Sequence, residues 1–197
     1  MAKKESSLIN MLIALLVIAA VSGGLLGLIY SITKDKIAEV EKQKNEAAMS
    51  EVLQKEGVAI DKFVTKEKDG LVYNMAYTAD GQCVGAAVKT FTNKGFNGKV
   101  ELMVGILADG TINKISVLSQ NETPGLGANM ENAKFKDQFN GKNPDNGYKL
   151  QVKKDGGDVD AITAATISSR AFTDAVKTAC DGFKANKEEL MKGGTEQ

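Results

Sequence analysis

The chain has 197 residues, and 25 Lys and Arg balance 25 Asp and Glu, so a formal net charge of zero gives no electrostatic case for nucleic acid as a partner. It contains no His, which excludes imidazole metal ligation and histidine acid-base or triad chemistry within the chain. Its two cysteines, Cys83 and Cys180, lie far apart with no C-x-x-C spacing, which disfavours an iron-sulfur cluster held by this chain alone.

After a short tail of residues 1–7, residues 8–32 form an apolar run without a charged side chain. About 25 residues at roughly 1.5 Å each suffice to cross a hydrocarbon core of about 30 Å, so this run reads as a transmembrane helix. It is longer than the roughly 7 to 15 apolar residues of a cleaved signal. Gly23 and Gly27 give a G-x-x-x-G spacing. That spacing is either a face for close packing in a membrane complex or an incidental feature of a single-pass anchor. Lys34, Lys36, Lys42 and Lys44 beyond the run outnumber Lys3 and Lys4 before it, and a positive-inside count alone places the following domain in the cytoplasm.

Residues 33–57 read as a helical stalk. No Pro or Gly interrupts 33–56, and Ile37, Val40, Ala47, Ala48, Val52 and Leu53 make a broken apolar face among charges that form a solvated face. Glu51 and Lys55 are four apart in the favourable order, and Gly57 is the expected stop.

Four strands in two hairpins follow, 71–78 with 82–91 and 99–107 with 111–119, each pair flanking an Ala-Asp-Gly turn. The intervening NKGFNG of 93–98 reads as a flexible connection. ETPGLG at 122–127 forces a tight path that lets backbone approach a flat ring closely, and in isolation it is a turn before a helix over 131–139. A polar loop over 140–147, a strand over 148–153 and the Gly156-Gly157 turn lead to DVDAITAATISS at 158–169. Beyond it Ala171, Phe172, Ala175, Val176, Ala179, Cys180 and Phe183 form a stripe of roughly 3.6-residue period, so a helix starts near Thr166. Residues 193–197 read as a frayed tail. Both cysteines fall on core-like patterns, which predicts two buried thiols, although a disulfide is conceivable in an oxidising compartment.

Thr163, Thr166, Ser168 and Ser169 place hydroxyls at or near the first turn of that helix, where unpaired N–H groups favour an anion. By spacing alone, an N-cap in front of a core helix is the better reading of them. Ala164 and Ala165 leave room for a ligand.

Asp160, Thr163, Ala165 and Thr166 also match the pattern D-x-x-[S/T]-G-A-T that flavin transferases recognise, with Ala164 where Gly is usual, and ETPGLG is the second signature of the same domain. With the apolar N-terminal run and the TKDKI of 33–37, nearly the whole chain resembles the G subunit of the Rnf electron-transport complex. The C subunit of the sodium-translocating NADH:quinone reductase is a longer relative. The resemblance implies FMN esterified through its phosphate to Thr166, installed from FAD by a separate magnesium-dependent flavin transferase that releases AMP and recognises Asp160. It implies Glu122, Thr123, Leu126 and Gly127 against the isoalloxazine, with Thr163, Ala164, Ala165, Ser168 and Ser169 around the attachment point. The extra methyl of Ala164 bears on the efficiency of flavinylation rather than its site.

The expected architecture is α+β: a transmembrane helix and stalk helix, then one antiparallel-sheet-rich FMN-binding domain over 58–192 with flanking helices. By the resemblance it is an electron-transfer subunit with no catalytic residue or metal site of its own. It would join other membrane and redox subunits of a complex coupling ferredoxin–NAD electron flow to ion translocation. The family topology is single-pass in the bacterial cytoplasmic membrane, with the N-terminus cytoplasmic and the flavin domain extracytoplasmic, against the charge count. The competing readings are a stand-alone anchored flavoprotein of another reductase and a flavin-free anchored module in which Thr166 only caps a helix.

Overall fold

The computed structural model describes residues 8–54 and 58–191. The expected tails at 1–7 and 193–197, the Lys55 end of the Glu51 pair, the Gly57 stop and the boundary at 57/58 lie outside them. Helix α1 runs unbroken over Leu8–Leu53. The chain divides into two compact units, Met1–Gln43 and Lys44–Gln197.

In the first unit α1 is the one helix, among the described residues, long and apolar enough to cross a membrane. Its leucines and isoleucines are exposed around the whole circumference, and nothing lies within 4 Å of the Cβ positions of Gly23, Gly24 or Gly27. Near the end of the apolar run the Ser31 hydroxyl donates to the Leu28 carbonyl at 2.9 Å and that of Thr33 to the Ile29 carbonyl at 2.8 Å. Both hydroxyls are thereby satisfied within the helix, as apolar surroundings require.

The second unit is built on a five-stranded antiparallel meander. Strands β1 (Lys62–Lys68), β2 (Leu71–Tyr77), β3 (Cys83–Gly95), β4 (Gly98–Leu107) and β5 (Ile112–Ser119) lie side by side in chain order. Two corrections to the sequence-based expectation follow. The two expected hairpins gain a fifth strand, β1, joined to β2 by Asp69-Gly70 with φ of 52° and 75°, the double left-handed geometry of a two-residue hairpin turn. The segment 93–98 is not a connection between separate hairpins. Gly95 pairs with Gly98, so Phe96 and Asn97 are the tip of the continuous β3–β4 hairpin.

Alternating side chains of the meander bury against two different layers. On one face Tyr73, Met75, Val88, Leu102 and Val104 pack with the final helix α3, Thr166–Met191, through Phe172, Ala175, Val176, Ala179 and Phe183. On the other face Ala76, Ala87, Met103 and Leu118 pack with Ala48, Val52 and Leu53, so the last turns of α1 form a layer of this unit. Full burial of each large apolar side chain contributes about 1.5–3 kcal/mol. Gly105 permits the α1 contact, because a Cβ there would strike the Val52 carbonyl oxygen and come within 2.7 Å of its carbon. Side chains of β3 fasten α3 in register: Thr90 donates to the Ala175 carbonyl at 3.1 Å, and Thr92 and Lys94 reach Asp174 at 2.9 and 2.7 Å.

The two edges of the sheet meet different neighbours. Along β1, Lys66 donates to the Leu190 carbonyl at 2.9 Å and Lys68 pairs with Glu189. Along β5 the backbone of Ile112 is bonded to Lys142 and Gly141, both at 2.8 Å.

The region between β5 and α3 departs from expectation in two places. The helix expected over 131–139 is three short pieces: a 3-10 turn at Gly127–Glu131, α2 at Ala133–Lys136 and a 3-10 turn at Asp137–Phe139. Asn132, with extended ψ of 140°, breaks the path. The pieces are held by Phe135 and Phe139, whose rings pack 5.1 and 5.3 Å from that of Phe172 on α3. The strand expected over 148–153 reduces to a single parallel bridge, Val152 to Val159, followed by a 3-10 turn at Lys153–Asp155.

Both cysteines are free thiols. Cys180 is buried as expected, but Cys83, at the start of β3, is only half-buried. Burial pushes the Cys180 thiol up to about 12 and raises that of Cys83 as well. At pH 8, maleimide labelling of the native protein is expected to reach Cys83 first and Cys180 only on unfolding; equal rates would contradict this packing. Gly105→Ala is expected to destabilise the protein by about 2 kcal/mol through overpacking, read as a lowered Tm in detergent, whereas an unchanged Tm would mean that α1 does not seat on the sheet.

Candidate functional site

The start of α3 is set by the turn that precedes it. The Ala165 N–H donates to the Ile162 carbonyl at 3.0 Å, closing a four-residue turn whose third residue, Ala164, has φ of 59°. A positive φ at that position is the requirement of a type II turn and favours Gly. The unusual alanine of the D-x-x-T-A-A-T run therefore sits at its one left-handed residue. Two hydroxyls expected at the helix end are engaged elsewhere. Ser169, fully buried, donates to the Ala165 carbonyl and accepts the Ile162 N–H, both at 2.9 Å. Ser168 donates to the Glu122 carboxylate. Thr166 stays partly exposed, and its hydroxyl accepts from Lys154 Nζ at 3.4 Å.

ETPGLG packs directly against this turn. Glu122 is buried, and its second carboxylate oxygen accepts the backbone N–H of Asn97 at the β3–β4 tip, at 3.0 Å. Thr123 bonds the same tip, accepting from Asn97 Nδ2 at 3.4 Å, and its carbonyl accepts the N–H groups of Leu126 and Ala128. Gly127 has no room for a side chain: a Cβ would strike the Ser168 hydroxyl and stand 2.6 Å from Glu122 Oε2.

The motifs converge on a cavity of about 300 Å³ lined by Phe96, Glu122, Thr123, Leu126, Thr166 and Ser168, with Gly127, Ala164, Ala165 and Ile167 completing it. Phe96, Leu126 and Ile167 are large apolar side chains left 65, 41 and 48 % exposed at its wall. Leu126 and Ala164 also border a second cavity of about 450 Å³ that includes Asn129, Phe135, Gln138, Asp160 and Thr163. Of the expected site residues, Glu122, Thr123, Leu126, Gly127, Ala164, Ala165, Thr166 and Ser168 meet in the first cavity. Asp160 and Thr163 face the second, and Ser169 is enclosed in the fold. Phe96, Asn97 and Lys154 join the site without a sequence signal, the first two from NKGFNG, which reads in the sequence as a connection.

The charges around Thr166 are largely paired. Arg170 holds Asp155 through two hydrogen bonds of 2.6 and 2.7 Å, and those bonds keep the Asp155 carboxyl below its ordinary value. Lys153 pairs with Asp160 at 2.8 Å, and the Asp160 backbone N–H donates to Gln138 at 2.8 Å. Since Asp155 titrates lower when folded, its pairing is present above the ordinary carboxylate range and is lost as pH falls through the depressed value.

The arrangement combines a slot with apolar walls, a hydroxyl at a helix N-terminus and a nearby ammonium group. It is suited to a flat ring bearing an anionic tail.

The chain matches the family models for an FMN-binding domain over residues 95–181 and for the RnfG N-terminal region over residues 5–52. It is 36% identical over 201 residues to the G subunit of the ion-translocating oxidoreductase complex of Aliivibrio fischeri, covering 95% of this chain and 93% of that one. It is 34% identical to the G subunit of the Na(+)-translocating ferredoxin:NAD(+) oxidoreductase complex of Acetobacterium woodii, covering 82% of this chain and 84% of that one. Its fold is similar to the C subunit of the Na(+)-translocating NADH-quinone reductase of Parabacteroides distasonis, with a TM-score of 0.53 at 19% identity, over 81% of this chain and 96% of that one. The Shewanella oneidensis NqrC structure is similar with a TM-score of 0.51 at 21% identity, over 71 and 75% of the two chains.

Ala164→Gly is expected to stabilise the protein by up to about 1 kcal/mol, the cost of left-handed backbone at alanine less the entropy gained by the unfolded chain. Chemical denaturation measures it, and a loss of stability would mean that the methyl makes a packing contact worth more than the strain.

Proposed function

This chain belongs to the family of G subunits of ion-translocating oxidoreductase complexes, and we propose from that premise that it is the electron-transfer subunit of an Rnf-type complex, with FMN held on Thr166. The observation that carries this reading is the convergence of the two separated motifs on one cavity beside the Thr166 hydroxyl. The residues present fit the group. The apolar walls of Phe96, Leu126 and Ile167 suit the isoalloxazine, and Thr166 at the first turn of α3 suits the phosphate.

FMN supplies one- and two-electron redox chemistry; the chain positions and tunes it. Thr166 Oγ holds the phosphate ester, while Lys154 and the first-turn N–H groups offset the phosphate charge. Leu126 and Phe96 shield the ring from water, with Glu122, Thr123 and Gly127 along the same wall. Thr163, Ala164, Ala165, Ser168 and Ser169 set the shape of the attachment turn. No group of this chain acts as a general acid or base.

The ester forms from FAD on a flavin transferase: Thr166 Oγ joins the FMN phosphorus as the pyrophosphate bond breaks and AMP leaves. Asp160, exposed and six residues before Thr166, is the recognition element for that enzyme. Residues 8–32 anchor the protein in a bacterial cytoplasmic membrane with the N-terminus cytoplasmic. Of the expected stalk over 33–57, only the part before Lys44 serves as one in this reading, since Ala48, Val52 and Leu53 pack on the sheet, and the flavin domain lies on the extracytoplasmic side. Its partners are the other membrane and redox subunits, linking ferredoxin and NAD to ion transport.

The test is coexpression with an active flavin transferase, comparing wild type with Thr166→Val by in-gel flavin fluorescence under denaturing conditions and by peptide mass spectrometry. Fluorescence and an FMN adduct confined to the wild-type Thr166 peptide are expected. An unmodified wild type, with the transferase active on a control substrate, would reduce Thr166 to a helix cap and overturn the reading.

A further inference from the structure

We infer that Glu122 is a positioning residue that clasps the β3–β4 hairpin tip to the Thr166 cavity and sets the reduction potential of the flavin proposed there, on whose presence the inference rests. Its carboxylate is 5% exposed. One oxygen accepts the Asn97 N–H at 3.0 Å, and the other accepts the Ser168 hydroxyl. Three chain segments thus meet on one side chain: the hairpin tip, the ETPGLG turn and the first turn of α3.

Two glycines make room for this group. A Cβ on Gly95 would stand 2.7 Å from Glu122 Oε1, and one on Gly127 would stand 2.6 Å from Oε2. Both glycines lie where the carboxylate fills the space of a side chain. Among the described residues no Lys or Arg forms an ion pair with Glu122, and the two groups bonded to its carboxylate, the Asn97 N–H and the Ser168 hydroxyl, are neutral dipoles. Burial of a carboxylate without a cation is costly. For packing alone, a neutral amide or an apolar side chain serves at less cost.

Glu122 and Ser168 both line the cavity that holds the Thr166 hydroxyl. A carboxylate in that wall opposes the negative charge that an electron from a reduced partner adds to the ring, and so lowers the potential. The Ser168 hydroxyl dipole partly cancels that field. The same carboxylate orders Asn97 and, with it, the neighbouring Phe96, which also lines the cavity.

The experiment is spectroelectrochemical titration of the full-length protein, coexpressed with a flavin transferase and purified in detergent, for wild type, Glu122→Gln and Ser168→Ala. Glu122→Gln is expected to move the midpoint positive, changing the oxidised-to-reduced ratio at a fixed poise on the order of tenfold. Ser168→Ala leaves the charge and removes a compensating donor, so its midpoint moves negative. A purely structural role would move both variants the same way or neither, and either result overturns the inference while leaving the flavin on Thr166 intact. If Glu122→Gln does not fold, the negative shift in Ser168→Ala is the deciding result. A wild type without flavin would instead remove the reading beneath it, and the inference with it.

Discussion

Everything at the functional end of this domain depends on the seat of α3 on the meander. Phe172, Ala175, Val176, Ala179 and Phe183 are buried against strands that are themselves buried from behind by Ala48, Val52 and Leu53. A sheet covered on both sides is rigid, because displacing either layer exposes core on that face. The hydrogen bonds from Thr90, Thr92 and Lys94 then remove the remaining freedom of α3 to slide. The position of Thr166 is therefore a property of the whole core, although the residue itself contributes little to it.

The turn in front of the helix does the local work. Chain direction reverses within four residues, and the cost falls on Ala164, the one described non-glycine residue besides Asp69 with positive φ. The hydroxyls that follow divide the labour by burial. Ser169 closes the turn from inside, Ser168 binds the ETPGLG segment, and Thr166 is left facing solvent and Lys154. Of the Thr166, Ser168 and Ser169 hydroxyls, those of the two serines donate within the fold and that of Thr166 accepts from Lys154 at the surface.

How much of this was legible from the residues depended on whether the signal was local. The apolar run of α1, the stripe of α3 and the Ala-Asp-Gly turns are periodic or turn-specific patterns, and they emerge in the structure close to where they were expected. Strand β1 was missed although Asp69-Gly70 is a strong hairpin signal, because KFVTKEK offers a lysine-rich edge rather than an alternating apolar face. The broken helical path over 127–139 was read as one helix because its apolar residues satisfy Phe172 rather than a helical period. At the site the two motifs were visible, but their meeting with Phe96, Asn97 and Lys154 is a product of tertiary packing that no spacing encodes.

The two edges of the sheet have a wider consequence. At β1 lysine side chains occupy the border, and at β5 the turn around Gly141 and Lys142 already takes the backbone groups of Ile112. Recruitment by strand addition, a common way for sheet domains to capture a peptide or a second copy, meets lysines along one border and, at the start of the other, a residue whose backbone is already paired. Among the side-chain surfaces open to neighbours, the rim formed by Phe96, Leu126 and Ile167 presents exposed apolar groups. Lysines along the β1 border discourage pairing with foreign strands there, which suits a polypeptide that stands crowded among other proteins.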